Sequence, residues 1–127
     1  MPGRSPPREG TSYKMVLVVR GEIRLTAGKS AVQVAHAAVM LSDLAARERP
    51  KELAAWRAEG QKKIAVVAQT LAEMEDLQRA ARARRILTVF VEDAGLTEVP
   101  PGTRTVLGVG PGAAPVIDQV TGHLPLL

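Results

Sequence analysis

Short apolar runs rich in β-branched residues alternate along the chain with longer segments of helical periodicity. Such runs are typical of strands covered on both faces, and they occur at residues 15–19, 63–68, 86–91 and 105–109. The other regular segments predict helices at residues 29–46, 50–59, 71–84 and 113–120. The resulting order, β-α-α-β-α-β-β-α, predicts an α/β fold in which helices cover both faces of a sheet.

The first predicted helix carries a polar stripe. From Ala31 to Leu41 every residue is apolar except Gln33 and His36, and a helix that is apolar nearly all round is predicted to be buried. Lys29, Gln33 and His36 lie within roughly 60° of one line along this helix. A single histidine favours a core or interface role. Three aligned polar residues in a predicted core, where unpaired polar groups are costly, indicate instead the wall of a functional site.

Two further polar segments lie at the ends of predicted strands. If the first and third strands are parallel, their carboxyl ends meet the start of the first helix at one sheet edge, where ligands gather in such folds. Asp93 follows the third strand and supplies a carboxylate that can orient water or His36; the alternative is an ordinary turn, which Asp and Gly favour. Thr103 can contribute a hydroxyl and Arg104 a phosphate contact, or both lie in a solvated loop.

The composition narrows the classes of protein that fit. The 127 residues suit one domain, and the Pro-, Gly-, Arg- and Ser-rich residues 1–13 predict a disordered tail before a domain at 14–127. The absence of cysteine excludes disulfides and thiolate catalysis, and two histidines without a carboxylate cluster predict no metal site. Without a long apolar run or the apolar centre of a signal peptide, we expect no membrane span and a cytoplasmic protein.

The charge favours an anionic partner. A net charge of +4 and a pI of about 10.0 point first to nucleic acid, although a merely soluble basic protein fits equally well. Aromatic residues make up only 2% of the chain, too few for base stacking, so RNA contact is expected mostly at phosphates. The cluster Arg79, Arg82, Arg84 and Arg85 suits the end of a helix dipole, with an RNA backbone contact as the alternative.

Taken together, these segments resemble the archaeal and eukaryotic type of peptidyl-tRNA hydrolase, which is distinct from the common bacterial type. The resemblance covers roughly residues 14–127, and its separated motifs in register make it specific. The family pattern usually has lysine where Ala27 stands and arginine where Leu96 stands. The matching segments are 14–20, 28–29 with Gln33, 36–38, 93–95 with Thr97, 101–108, 110–111, 117–118 and 120–122.

This resemblance implies a three-layer α/β sandwich around a four-stranded mixed sheet, usually assembled as a homodimer. It implies hydrolysis of the ester that joins a peptide to the 3′ ribose of tRNA in peptidyl-tRNA, which frees the tRNA for reuse in translation. Neither a metal nor an organic cofactor is implied. The functional positions of the family correspond here to Lys29, Gln33, His36, Asp93, Thr97 and Thr103.

Ester hydrolysis requires an activated water, a stabilised oxyanion and a held substrate. We expect His36 or Asp93 to activate or orient the water. Lys29 is expected to stabilise developing charge or to bind the terminal phosphate, and its ammonium would favour an ionised Asp93. The predicted catalytic set is Lys29, His36, Asp93, Gln33 and Thr97, and the predicted substrate-binding set is Thr103, Arg104, Arg20 and Arg24.

Two other functions fit parts of the sequence. A non-catalytic tRNA- or RNA-binding module on the same fold stays open because Ala27 and Leu96 depart from the family pattern. Such a module would bind tRNA in a salt-dependent way without cleaving the ester. A weaker alternative is a nucleotide or small-molecule binder that uses residues 108–112, although no P-loop motif is present.

Overall fold

The computed structural model describes residues 12–95 and 99–127, so most of the predicted tail lies outside the described residues. The described elements follow the predicted order and type, which confirms the α/β class. The first strand begins at Tyr13, one residue before the predicted start of the domain. The elements are β1 (Tyr13–Arg20), α1 (Ala27–Glu48), α2 (Pro50–Ala58), β2 (Lys63–Ala68), α3 (Leu71–Ala83), β3 (Thr88–Glu92), β4 (Arg104–Ala113) and α4 (Ala114–Thr121).

The four strands form one mixed sheet in the order β2-β1-β4-β3. β1 is parallel to β2, and β4 is antiparallel to both β1 and β3. Therefore β1, β2 and β3 run in the same direction, and their carboxyl ends share one edge of the sheet, here called the carboxyl edge. α1 and α2 cover one face and α3 and α4 the other, which confirms the predicted three layers.

Two apolar layers enclose the sheet, because alternate residues of each strand point to opposite faces. Leu17 of β1 packs under α1 and α2 with Leu41 and Trp56, while Val18 packs on the other face with Met74 of α3. Gly108 lets α1 approach β4 closely, since a Cβ at that position would lie 2.7 Å from Leu41 Cδ1. The position of α1 over the sheet therefore depends on the small size of Gly108.

The last strand is longer than predicted. It was predicted to end at residue 109, and that bound is wrong, because β4 continues through the Gly-Pro-Gly segment 110–112 to Ala113 and pairs there with Tyr13. A register shift in the facing β1 accommodates the irregular segment, as is typical where proline enters a sheet. Gly110, at φ +101°, still donates its backbone N–H to the carbonyl of Leu87.

α1 is buried on one side only, so the prediction of a wholly buried helix is wrong. Its sheet-facing line consists of Gln33, Ala37, Leu41 and Ala45 at intervals of four residues. Its outer face exposes apolar side chains instead: Val32, Val39 and Met40 are 48%, 61% and 39% exposed. None of the described helices combines the length and apolarity needed to cross a membrane.

Candidate active site

The first turn of α1 lies at the carboxyl edge because of a helix cap. Thr26 precedes the helix in an extended conformation, and its Oγ1 accepts the backbone N–H of Lys29 at 3.2 Å. Such a cap satisfies one of the free N–H groups of the first turn and defines where the helix begins. Lys29 is thus in the first turn, one helical turn before Gln33 and on the sheet-facing side.

Asp93 follows the end of β3 directly and is fixed by the connection to β4. Its backbone N–H donates to the carbonyl of Thr103 at 2.9 Å, and its carbonyl accepts the N–H of Gly102 at 2.8 Å. The hydroxyl of Thr103 donates to the carbonyl of Pro100 at 2.7 Å. Thr103, predicted as a substrate contact, therefore also holds the loop that positions Asp93.

The central feature of the edge is an ion pair between Lys29 and Asp93. Lys29 Nζ lies 3.2 Å from Asp93 Oδ2, and the two side chains are 16% and 0% exposed. Asp93 Oδ1 accepts the backbone N–H of Gly95 at 2.6 Å. Gly95 has φ +85°, and a Cβ there would collide with Pro101, so this turn requires glycine. The carboxylate is thus fixed on both oxygens, and the ammonium is the part of the pair that solvent or substrate reaches.

Beneath the ion pair lies a buried polar contact that the predicted site did not include. Thr105 Oγ1 lies 2.5 Å from Gln33 Oε1 and 3.4 Å from the carbonyl of Val91, and both side chains are buried. With its oxygen occupied by the hydroxyl, the amide of Gln33 keeps its N–H groups as donors. The sequence signal that could have identified Thr105 is its hydroxyl: it lies in a predicted strand, and the helix predicted to be buried carries the amide of Gln33.

His36 does not join this group. Its side chain is exposed, since the buried line of α1 passes through Gln33 and Ala37 rather than through His36. No hydrogen bond joins its imidazole to any residue that the structure describes. The predicted stripe of three residues is therefore divided: Lys29 and Gln33 face the sheet edge, and His36 lies on the flank. Thr97 belongs to residues 96–98, outside the described residues.

The side chain of Arg20 makes its contacts on the opposite face of the sheet from Lys29. Its Nε lies 2.6 Å from Glu22 Oε2 and its Nη1 donates to the carbonyl of Arg104 at 3.2 Å. The Glu22 carboxylate also accepts the N–H of Leu71 at the start of α3, at 3.0 Å. The hydrogen bond from Arg20, with that of Leu71, holds the pKa of Glu22 below its usual 4.5. Arg20 thus ties β1 to α3 and β4.

Arg104 is also held by carboxylates. It lies 3.6 Å from Glu75 of α3 and 3.8 Å from Glu92 of β3, and its guanidinium covers the ring of Phe90 at 4.4 Å. Arg24 is exposed in the loop between β1 and α1. The structure therefore separates the four predicted substrate contacts: Thr103 lies beside Asp93, and Arg20 and Arg104 lie on the α3 face.

A cleft of about 280 Å³ opens beside the first turn of α1. Ser30 and the loop after β1 line it, with the apolar side chains of Ile23, Leu25 and Val67 on its walls. An apolar cleft with a few polar groups at its rim is the usual form of a small-molecule subsite. The edge therefore offers a space for an apolar group next to the turn that carries the ammonium of Lys29.

This arrangement defines an α/β protein whose candidate site lies at the carboxyl edge of a mixed sheet, the general place for ligand sites in such sheets. The model of the family "Peptidyl-tRNA hydrolase PTH2" matches residues 13–127. The chain therefore belongs to the PTH2 family.

Named relatives are similar over most of this chain. The peptidyl-tRNA hydrolase of Thermococcus onnurineus is 47% identical over 115 residues, which are 91% of this chain and 98% of the relative. The peptidyl-tRNA hydrolase of Methanopyrus kandleri is 46% identical over the same shares of the two chains. The mitochondrial peptidyl-tRNA hydrolase 2 of Bos taurus is 42% identical over 118 residues, which are 93% of this chain and 66% of the relative.

Proposed function

We propose that this protein hydrolyses the ester between peptide and tRNA in peptidyl-tRNA and so releases tRNA for reuse. The observation that carries the proposal is the Lys29–Asp93 ion pair, at 3.2 Å, at the carboxyl edge of a chain that belongs to the PTH2 family. The names of its relatives, peptidyl-tRNA hydrolase in Thermococcus onnurineus and Methanopyrus kandleri and peptidyl-tRNA hydrolase 2 in Bos taurus, support the same activity.

In the proposed mechanism Lys29 acts on the charge that develops during hydrolysis. Addition of water to the ester carbonyl places negative charge on the carbonyl oxygen, and a fixed cation stabilises that oxygen most where water is largely excluded. The ammonium of Lys29 is partly exposed, whereas its carboxylate partner is not. Asp93 therefore orients the ammonium and balances its charge when no substrate is bound.

Gln33, Thr97 and Thr103 position the substrate in this proposal. The amide of Gln33 is fixed by Thr105, so its N–H donors are oriented before the substrate arrives, which lowers the entropy lost on binding. Thr103 shapes the loop that carries Asp93. Thr97 follows Asp93 by four residues in the sequence, and its hydroxyl completes the proposed set.

Water activation was predicted for either Asp93 or His36. We propose that Asp93 contributes by holding the ammonium of Lys29, which orients the water, because its own carboxylate is 0% exposed. Its carboxylate contacts Lys29, whereas His36 is exposed on the flank of α1. We expect Asp93→Ala to abolish turnover more completely than His36→Ala. A loss with His36→Ala as large as that with Asp93→Ala would assign the role of base to His36.

One assay separates this proposal from the non-catalytic RNA-binding module. Purified protein is incubated with N-acetyl-aminoacyl-tRNA, and free tRNA is measured over a range of pH and temperature. The proposal predicts release that requires Lys29 and Asp93, with Lys62→Ala, an exposed lysine far along the chain, as the matched control. Salt-dependent binding of the substrate without any release would establish the binding module instead.

The proposal also includes a homodimer in the cytoplasm. What supports the homodimer is the outer face of α1, where Val32, Val39 and Met40 are exposed side by side at helical spacing. Contiguous exposed apolar patches are rare on monomeric proteins, and larger ones mark interaction sites. What supports the cytoplasm is the substrate, because peptidyl-tRNA arises where ribosomes work.

A further inference from the structure

Three cationic side chains at the carboxyl edge are paired with carboxylates. Lys29, Arg20 and Arg104 lie 3.2, 2.6 and 3.6 Å from the nearest carboxylate oxygens of their ion pairs. A paired cation attracts a phosphate less than a free one does. Arg24 is an exposed cation of this edge, and a larger group of arginines lies at the other end of the sheet.

A cavity of about 440 Å³ at the opposite end of the sheet collects arginines. It lies between the ends of α1, α3 and β4, and Arg49, Arg84 and Arg85 line it against the single carboxylate of Glu52. We call this cavity the arginine cleft. The last turns of α1 and α3 add the basic side chains of Arg47 and Arg82 to the same end of the molecule.

The guanidinium groups of the arginine cleft are held in place and keep free donors. Arg49 forms an ion pair with Glu52, at 3.5 Å from Nε to Oε1, and its Nη2 donates to the carbonyl of Arg85 at 3.0 Å. Arg84 has no carboxylate partner among the described residues, and it donates to the carbonyl of Ala80 at 3.0 Å and to Gln119 Oε1 at 3.1 Å. A guanidinium carries five N–H donors, so several remain after these contacts. The side chain of Arg85 forms no hydrogen bond or ion pair with any of the described residues, 12–95 and 99–127.

We propose that the arginine cleft binds backbone phosphates of the tRNA substrate, an inference that rests on the proposed function. A guanidinium matches two phosphate oxygens at once and is less strongly hydrated than an ammonium. None of the described residues that line the cleft is aromatic, so the cleft fits phosphates rather than stacked bases. The proposed phosphate contacts of the arginine cleft therefore lie far from the ester that is cleaved.

The length of the sheet determines which part of the RNA reaches the arginine cleft. β4 runs for ten residues from Arg104 at the carboxyl edge to Ala113 at the cleft, which spans about 30 Å at roughly 3.3 Å per residue. That distance corresponds to about nine base pairs at roughly 3.4 Å per pair. When the ester lies at Lys29, only the helical arm behind the 3′ end is long enough to bring phosphates to the cleft.

The test compares a long and a short substrate of the same ester. We expect Arg85→Glu to raise the KM for N-acetyl-aminoacyl-tRNA roughly tenfold and to leave kcat unchanged. The KM for N-acetyl-aminoacyl-CCA trinucleotide should stay within about twofold of that of the wild type, because this RNA ends far short of the cleft. Lys62→Glu, the same charge change at an exposed position, should alter neither KM.

Salt dependence gives a second readout of the same contact. Arg85→Ala should reduce the slope of log KM for the tRNA substrate against log salt by about 0.7 to 0.9, the loss of one phosphate contact. Arg85→Lys should retain most of the affinity. Arg84→Gln, which keeps a neutral side chain of similar reach, should raise the KM for the tRNA substrate only, and it serves if Arg85→Glu does not fold.

Two results overturn the proposal: unchanged KM values for both substrates, or an equal rise for both. If the wild-type protein cleaves neither substrate, the proposed function fails, and the arginine cleft is then tested by direct binding. In that measurement Arg85→Glu should still weaken binding of uncharged tRNA and not of the CCA trinucleotide. Equal binding of tRNA by Arg85→Glu and the wild type would reject the cleft as a phosphate site.

Discussion

At the scale of single residues, the decisive contacts are made by buried polar side chains. Asp93 is fully buried yet bonded on both oxygens, and Gln33 is buried against Thr105. Buried polar groups that keep their partners hold one geometry, and those that lose a partner become costly. The precision of the candidate site therefore depends on Thr105 and Gly95 as much as on Lys29.

We expect Thr105→Val to destabilise the fold, because it leaves the buried oxygen of Gln33 without its hydroxyl donor. The loss should be about 1 to 3 kcal/mol in the free energy of unfolding, measured by urea denaturation. Thr121→Val is the matched control, since that buried hydroxyl only donates to a carbonyl of its own helix. Equal and small losses for both variants would show that the contact between Thr105 and Gln33 contributes little.

At the scale of elements, most of the site was predictable because strand direction determines it. The order of strands and helices brings the start of α1 and the end of β3 to one edge if β1 and β3 run in the same direction, which they do, and there Lys29 meets Asp93. The orientation of α1 was not predictable from its sequence, because apolar residues surround it. The closeness of Leu41 to Gly108 decides which side faces the sheet, and His36 consequently lies on the flank.

The alternation of side chains between the two faces of a strand explains why Arg20 and Arg104 lie away from Lys29 and Asp93. Arg20 and Arg104 end or begin strands at the carboxyl edge, as predicted, but their side chains lie on the α3 face with Glu22 and Glu75. A shift of one residue in a strand reverses the face of each side chain. The bulge that sets the register of β4 against β3 has no clear signal in the sequence.

Glu22 links β1 to the start of α3, and its contribution to stability should depend on pH. Its pKa is below the usual 4.5 in the folded protein, mainly through the hydrogen bond from Arg20. The unfolded chain therefore takes up a proton at higher pH than the folded one, and acid favours unfolding. The contribution is fully present above about pH 4.5 and is lost as the pH falls through the lowered pKa.

Glu22→Gln should therefore have a lower Tm than the wild type near neutral pH, and this difference should shrink below about pH 4.5. Thermal unfolding followed by circular dichroism at several pH values measures it. Glu48→Gln, at an exposed position at the end of α1, is the control and should show no such trend. A Tm difference for Glu22→Gln that is the same at pH 3 and pH 7 would contradict this account.

At the scale of the whole molecule, the two ends of the sheet differ in charge. The carboxyl edge pairs Arg20, Lys29 and Arg104 with carboxylates, while the far end gathers three arginines around one cavity, of which Arg49 is paired with Glu52. The net charge of the sequence predicted an anionic partner, but only the fold, in which α1 and α3 end at the same end of the sheet on opposite faces, brings together arginines so distant in the chain. The proposed substrate would therefore lie along the molecule rather than at one point.

The outer face of α1 gives a prediction about assembly. Val39→Glu introduces a charge at a large apolar side chain of this helix that is 61% exposed. It should weaken self-association at least about tenfold, because burying an unpaired charge is costly. Sedimentation velocity over a range of concentrations measures it. Ala72→Glu, at an exposed position of α3, is the control. A wild-type protein that stays monomeric, or a Val39→Glu dimer of unchanged affinity, would place the interface elsewhere.

The most direct test of the account is the rate of ester cleavage in a single turnover with saturating enzyme, which separates chemistry from binding. For Lys29→Ala and Lys29→Gln, each first shown to be folded by circular dichroism, we predict rates about 100- to 1,000-fold below that of the wild type, the usual effect of removing a group that stabilises an oxyanion. Lys62→Ala should cleave at the wild-type rate. Folded Lys29 variants that cleave within about threefold of the wild type would contradict the central claim that the Lys29–Asp93 pair performs the reaction.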